Sequence, residues 1–260
     1  MNIINILSGV LKKKKELDIK KLPSQGLFYK DDLKIYIKKA DMKDIANYEN
    51  MSLSNVSIED EISIKIGKIK WIVKNNVFLS KGYSYEDIKS IDIVYIFFEI
   101  VKYTNNKSIN LSYYNDNDKE VSIEFNSKNF DYFKIDDKLM SNYDKKEKCF
   151  IVDGYKFSLP SIGIEDGIED YLIEKSNEKN VDEYNNYFYD FTYFLGNKNK
   201  LSIDEVDNLI KIFNFDIEDK EIRKVENIIK KFEDLERYSL VDGENRIDLN
   251  SDIDLSKVWK

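Results

Sequence analysis

Apolar residues recur along this chain with two spacings, and the spacings divide it into elements. Ile3, Ile6, Leu7, Val10 and Leu11 repeat every three or four residues, a stripe for a small amphipathic helix. The lysines at 12–15 that follow suit the negative end of its dipole. Such a stripe either packs on its own domain or docks on a partner or a membrane surface, a partner being favoured over a membrane. Leu33, Ile35 and Ile37 then alternate with polar neighbours, which predicts a strand. Between Ile58 and Leu79 the series Ile62, Ile64, Ile66 and then Ile69, Trp71, Val73 fits paired strands or a helix, and both readings stay open. Ser84 with Asp87 three residues on resembles a capping box. It precedes Ile88, Ile91, Val94, Tyr95, Phe98 and Val101 at helical spacing, which predicts a buried central helix, with a strand as the alternative because of the β-branched content.

The middle of the chain reads as β-structure. Ile109 to Tyr114 and Val121 to Phe125 are short β-rich runs around Asn115-Asp-Asn-Asp-Lys-Glu120, the composition of an exposed hairpin loop. Phe150 to Leu159 contains Asp153-Gly154, the pair that suits a tight type I′ turn. Past Gly163 the text turns helical, over 164–175, 181–195, 202–213 with a Ser202/Glu205 capping box, and 217–237. The end is strand-like again, with Asp242-Gly243 as a turn and Ile247, Leu249, Ile253, Leu255, Val258 and Trp259 as possible anchors. The expected fold is α+β: a β-rich N-terminal and middle part with hairpins, then a helical C-terminal half. The expected organisation is an amphipathic helix at 1–21, a mixed β-rich domain with a central helix at 22–163, a helical domain at 164–240 and an extended tail at 241–260.

Two prolines punctuate this pattern, and both stand in the same setting: Leu22-Pro23-Ser24-Gln25-Gly26 and Leu159-Pro160-Ser161-Ile162-Gly163. Proline fixes φ and keeps the preceding residue out of the helical region, and glycine admits angles other residues avoid, so each pentapeptide predicts a rigid corner. The set Leu22, Pro23, Ser24, Gly26 and Tyr29 resembles the opening motif of the baseplate hub protein family of T-even-type contractile-tailed phages. That family follows its motif with a short strand and a polar, helix-starting segment, here Lys34 to Lys39 and Asp41 to Asn50. A mid-chain hairpin and a second corner opening a helix look like Ser108 to Phe125 and Pro160 to Gly163. The resemblance spans most of the chain and rests on the order of short motifs. It departs at one point: relatives often carry a Cys-x-x-Cys pair on a hairpin, where zinc could be held. Here the hairpin offers acidic and amide residues, and the chain has one cysteine, Cys149, and no histidine.

Composition narrows the function classes. Hydrophobic residues make up 42% and aromatic residues 13% of the 260 positions, enough for a packed core; the 35% charged residues alternate in sign at short range, as on a solvated folded surface. A net charge of −8 repels phosphate, and only Arg223, Arg237 and Arg246 could form the bidentate fork that reads bases, so nucleic acid is not an expected partner. No apolar run is long enough to span a membrane. The apolar start precedes its lysines, the reverse of a secretion signal, and one cysteine suits a reducing cytoplasm during folding.

Without histidine, Ser-His and Cys-His catalysis is closed off, and no phosphate-binding loop or zinc-binding helix motif is present. Carboxylates cluster at 59–61, at Glu165, Asp166, Glu169 and Asp170, and at Asp216, Glu218 and Asp219. They could serve a hydrolase or a magnesium site, but acidic residues at helix starts have a sufficient role in offsetting the dipole. Cys149 beside Phe150 reads as a small buried hydrophobe. The aromatic run Tyr184 to Phe194 could stack bases; on an acidic chain it reads as a packed helix with tyrosine left over for a protein interface.

The expectation is therefore a non-enzymatic structural or assembly protein with no cofactor and no metal, acting by protein–protein binding. The resemblance implies a place in the virion tail baseplate after assembly in the host cytoplasm. It also implies partners among hub proteins, tube-initiating proteins and the tape-measure protein. The candidate partner-binding residues are Ile3, Ile6, Leu7, Val10, Leu11, Leu22, Pro23, Ser24, Gly26, Tyr29, Leu159, Pro160, Ser161, Gly163 and Trp259. A carboxylate-dependent tail hydrolase and a chaperone absent from the virion are the alternatives.

Overall fold

A computed structural model describes residues 14–51, 58–114, 119–132, 134–135, 137–175, 192–194, 198, 200–216, 227–230, 232, 238–249 and 258–259; of these, the side chains of 58–62 and 210–216 are not described. The chain is α+β, with helices interleaved among small antiparallel sheets. The predicted amphipathic stripe at Ile3, Ile6, Leu7, Val10 and Leu11 lies outside the described residues.

The first sheet is antiparallel in the order β1-β2-β3, from Lys15–Glu16, Ile35–Ile37 and Val77–Leu79. Ile35 and Ile37 point into the core and Tyr36 between them is half-exposed, the period-two pattern of a half-buried strand. Lys15 is thus a strand residue. Its ammonium reaches Glu99 Oε2 at 2.6 Å, so Lys15 and Glu16, which fall within the expected helix at 1–21, are paired into the first sheet.

Helix α1 (Met42–Asn50) starts where Asp41 and Asp44 cap each other reciprocally. The open question at 58–79 resolves as helix α2 (Ile58–Asn76) running straight into β3. The central helix α3 spans Ile93–Asn105 and buries Ile93, Tyr95, Ile96, Phe97, Phe98, Ile100 and Val101, a face too wide for a surface helix. Asn106 in the left-handed region ends it.

The Ser84/Asp87 capping box exists but opens only a single 3-10 turn, Tyr85–Asp87. Ile88 and Lys89 are extended, a second 3-10 turn follows at Ser90–Asp92, and only then does α3 begin. The interruption has a tertiary cause: the carbonyl of Ile88 accepts the N–H of Ile162, and the N–H of Ser90 is given to the carbonyl of Pro160.

Strands β4 (Asn110–Tyr114) and β5 (Glu120–Glu124) form the first predicted hairpin. After β6 (Phe130–Asp131) and the short helix α4 (Asp137–Met140) comes the sheet β7-β8-β9, from Tyr143–Asp144, Cys149–Val152 and Tyr155–Phe157. Asp153 and Gly154 have φ of 51° and 86°, as a type I′ connection requires. Helix α5 (Ile162–Lys175) leaves the second corner, and α6 (Ile203–Asp216) begins at the Ser202/Glu205 capping box. Gly167 lets α5 approach the chain at Leu201, whose carbonyl oxygen would lie 2.6 Å from a Cβ added there.

Part of the expected C-terminal tail forms strands packed on the body. Strands β10 (Ser239–Asp242) and β11 (Asn245–Asp248) form a hairpin, and β10 pairs with β6 through Leu240 opposite Phe130. Tyr238, Leu240, Ile247, Leu249 and Val258 are buried in the same core as α3. This first core joins the first sheet, α1, α2, α3 and the β4–β5 hairpin. A second gathers Phe28, Leu139, Phe150, Phe157, Leu159, Tyr193, Ile228, Ile229 and Phe232, and a third lies between α5 and α6. The partition at 22–163, 164–240 and 241–260 therefore does not follow the packing: residues from each of those stretches share one core or another.

Candidate functional site

The two proline corners, more than a hundred residues apart, close on one segment, Ile88–Asp92. Asp92 stands at the start of α3, where a carboxylate suits the positive end of the dipole, yet it does not cap its own helix. Its Oδ1 accepts the Ser24 N–H at 2.8 Å; its Oδ2 accepts the Ser24 hydroxyl at 2.7 Å and the Tyr29 hydroxyl at 2.6 Å. The Tyr29 oxygen in turn accepts the backbone N–H of Lys89 at 2.9 Å. From the other side, the Lys89 ammonium donates to the Leu159 carbonyl at 2.8 Å and to Ser158 Oγ at 3.3 Å. Ser161 pairs with Lys89 as an isolated antiparallel bridge.

Local sequence explains how each corner presents these groups. Leu22 and Pro23 are buried and fix the approach, and the turn is completed by Gln25 at φ 55° and Gly26 at φ 73°, consecutive residues in the left-handed region. Gly26 sits against the carbonyl of Ile19, 3.3 Å from where a Cβ would be, and gives its N–H to Ser24 Oγ. In the second corner the Ser161 carbonyl accepts from Ile164 and Glu165 and so launches α5, with Gly163 buried in its first turn.

Electrostatics follow from burial. Asp92 is fully enclosed, and burial raises its carboxyl to about 6 although the donors of Tyr29 and Ser24 and the charge of Lys89 all pull it down. Burial lowers the Lys89 ammonium to about 8 against the opposing pull of Asp92 and Asp87. Tyr29 is pushed well above its usual range, first by burial and then by the Asp92 charge. Lys89 and Asp92, each sealed among hydroxyl and backbone partners, can hold segments in one geometry; their groups are shut away from a substrate in solution.

This changes the standing of the candidate partner-binding residues. Leu22, Pro23, Ser24, Tyr29, Leu159, Pro160, Ser161 and Gly163 are buried; Ser24 and Tyr29 spend their polar groups on Asp92 and Lys89, the Leu159 and Pro160 carbonyls accept from Lys89 and Ser90, and Gly26 is half-buried against Ile19. Within this chain these side chains have an internal role, holding the two corners on the segment at 88–92. Trp259 is half-buried too, edge-on to Tyr48 and Phe97 at 5.8 and 6.1 Å. Lys89 and Asp92 escaped the sequence reading, although Ser90-Ile91-Asp92 just before an apolar helical run was a helix-start signal that could have raised them.

The other candidate chemistry is also internal. Asp166 and Glu169 on α5 flank the Lys70 ammonium of α2 at 2.8 and 3.4 Å. Burial pulls Lys70 down, but the Asp166 hydrogen bond and the charges of Glu169 and Asp166 outweigh it and hold the ammonium above its ordinary value. The side chains at 59–61 and of Asp216, and residues Glu218 and Asp219, lie outside the description. Cys149 is buried beside Phe150. Of the aromatic run, Tyr193 is in the second core and Phe194 packs on Phe157 at 4.6 Å; the residues from Tyr184 to Phe191 lie outside the described ones. Among the described residues no group of three His, Cys, Asp or Glu could hold a metal ion, and no helix is long and apolar enough to cross a membrane. Comparison with protein families, with curated proteins and with solved structures finds no match for this chain.

Proposed function

We propose that the chain is a structural or assembly protein of a contractile phage tail baseplate hub, working by protein–protein binding and carrying no catalytic centre of its own. The observation that supports this most directly is the meeting of the two corners. Leu22-Pro23-Ser24, Gly26 and Tyr29, together with Pro160-Ser161 and Gly163, are the residues on which the resemblance to that hub family rests. Ser24 and Tyr29 of the first set bond Asp92, and Ser161 of the second pairs with Lys89, as residues that specify a shared architecture would. The most perturbed acid and base of the site are buried in that node, and two of the remaining candidate carboxylates are tied to Lys70; both facts favour a scaffold over a hydrolase.

In this reading the partners are other hub proteins, the tube-initiating proteins and the tape-measure protein, with nucleic acid disfavoured by the net charge of −8, and the finished location is the virion tail. The test is mass spectrometry of purified tails together with affinity capture of the tagged full-length chain from infected cells. Recovery of hub proteins is expected. Presence in the particle makes it a subunit, and presence only in capture makes it a chaperone. Absence of hub proteins from both, with cell-wall degradation on a zymogram, would replace the proposal with the hydrolase. A truncation aimed at the stripe from Ile3 to Leu11 should stop at residue 13, because Lys15 belongs to β1 and pairs with Glu99.

A further inference from the structure

The first corner touches both main cores, and consecutive residues do so in opposite directions. Tyr29 is buried in the first core, while Phe28 is buried in the second, 5.9 Å from the ring of Phe150. The loop around them is tied to the same two bodies. Tyr132 gives its hydroxyl to the Lys21 carbonyl, Tyr143 of β7 gives its hydroxyl to the Leu27 carbonyl, and Lys148 next to β8 pairs with Asp31 at 2.6 Å. Asp92 and Lys89 complete the set, Asp92 holding Ser24 and Tyr29 at the head of α3, Lys89 holding Leu159 at the exit of β9. Ile91, between them, packs against both cores.

We propose that the segment Leu22–Tyr29 is a joint that couples the two cores, with the Tyr29 hydroxyl as its pin, so that a load or a ligand acting on one core is felt by the sheet β7-β8-β9 of the other. The physical basis is that the pin has no water to replace it. Once the Tyr29 hydroxyl is gone, Asp92 loses a donor and the Lys89 N–H loses its acceptor, and Lys89 is the residue that holds the second corner. The coupling does not depend on which partner binds.

Hydrogen exchange of the full-length protein tests it, comparing wild type with Tyr29→Phe and Ser24→Ala. The control is a graded pair, Ile123→Val and Ile123→Ala, deep in the first core on β5 and outside the segment Leu22–Tyr29. The expected result is exchange at least about tenfold faster in Tyr29→Phe for the amides of β8, β9 and Ser158–Ile162, with Ser24→Ala in the same direction and the Ile123 variants within about twofold of wild type there. Unaltered exchange in β8 and β9 of the folded joint variants would overturn the proposal. So would equal acceleration by the Ile123 variant of matching stability, because the coupling would then be that of the whole fold. If Tyr29→Phe does not fold, Ser24→Ala carries the same readout.

Discussion

Replacing Tyr29 by phenylalanine removes one oxygen and almost no volume, which makes it a clean measure of the buried node. Two hydrogen bonds go: the one donated to Asp92 at 2.6 Å and the one accepted from the Lys89 N–H at 2.9 Å. The first ends on a carboxylate, for which about 1.5–3 kcal/mol is usual, and the second strands a buried N–H at about 1–3 kcal/mol. The terms overlap, since the same desolvated pocket is counted in both, so the expected loss is about 2–4 kcal/mol, a sizeable part of the roughly 5–15 kcal/mol that holds a domain together. Tyr83 supplies the matched control: its hydroxyl bonds the carboxylate of Asp32 at the exposed edge of the molecule, where water takes over once the hydroxyl is gone, so Tyr83→Phe should cost close to nothing. Urea unfolding followed by circular dichroism reads both. With a slope of about 2–3 kcal/mol per molar, the Tyr29→Phe midpoint should fall by about 1 M while that of Tyr83→Phe stays in place. A Tyr29→Phe midpoint within about 0.2 M of wild type, or equal shifts for both variants, would refute the claim that dry hydrogen bonds hold the corners together.

Other expectations follow from the same structure. Gly167→Ala gains about 1 kcal/mol of helix propensity but sets a Cβ 2.6 Å from the Leu201 carbonyl oxygen, so the melting temperature should drop; a rise would show that α5 and the chain at Leu201 separate easily. Gly26→Val forces a β-branched residue to φ 73° against the Ile19 carbonyl and should cost about 1–3 kcal/mol by denaturant titration, whereas a wild-type midpoint would make the corner a mere spacer. Stability should also depend on pH in a defined way. Asp92 holds its proton more tightly folded than unfolded, so its contribution is complete below 3.8 and is lost as pH rises through about 6. Lys89 is displaced the other way, so its contribution is complete above 10.5 and is lost as pH falls through about 8. The advantage of wild type over Asp92→Asn should therefore shrink between pH 3.8 and about 6 in parallel urea titrations, and a constant difference would contradict the raised carboxyl.

Much of the local structure was written in the residues themselves. The Asp153-Gly154 turn, the Ser202 helix start, the alternation at Ile35 and Ile37 and the apolar wrap of α3 all depend on near neighbours, whose backbone preferences and side-chain periodicity act over a turn or two. The proline corners were legible for the same reason, since ring closure at Pro23 and Pro160 and the conformational freedom of Gly26 are properties of single residues. What the corners do was not legible. Ser24 to Asp92 and Lys89 to Leu159 are contacts across sixty-eight and seventy residues, and no spacing rule ties such partners together. The same distance effect ended the helical reading before α3: the Ser84 box and the stripe from Ile88 favoured a continuous helix, but pairing of Ile88 and Ser90 with the second corner stabilises an extended segment instead. It also drew the C-terminal hairpin onto Phe130, where a pattern of turn and strand residues alone left a tail. Local chemistry determined where this chain bends and which faces are apolar. Tertiary packing decided which bends meet, because a buried carboxylate and ammonium are stable only where distant segments bring the donors and acceptors that replace water.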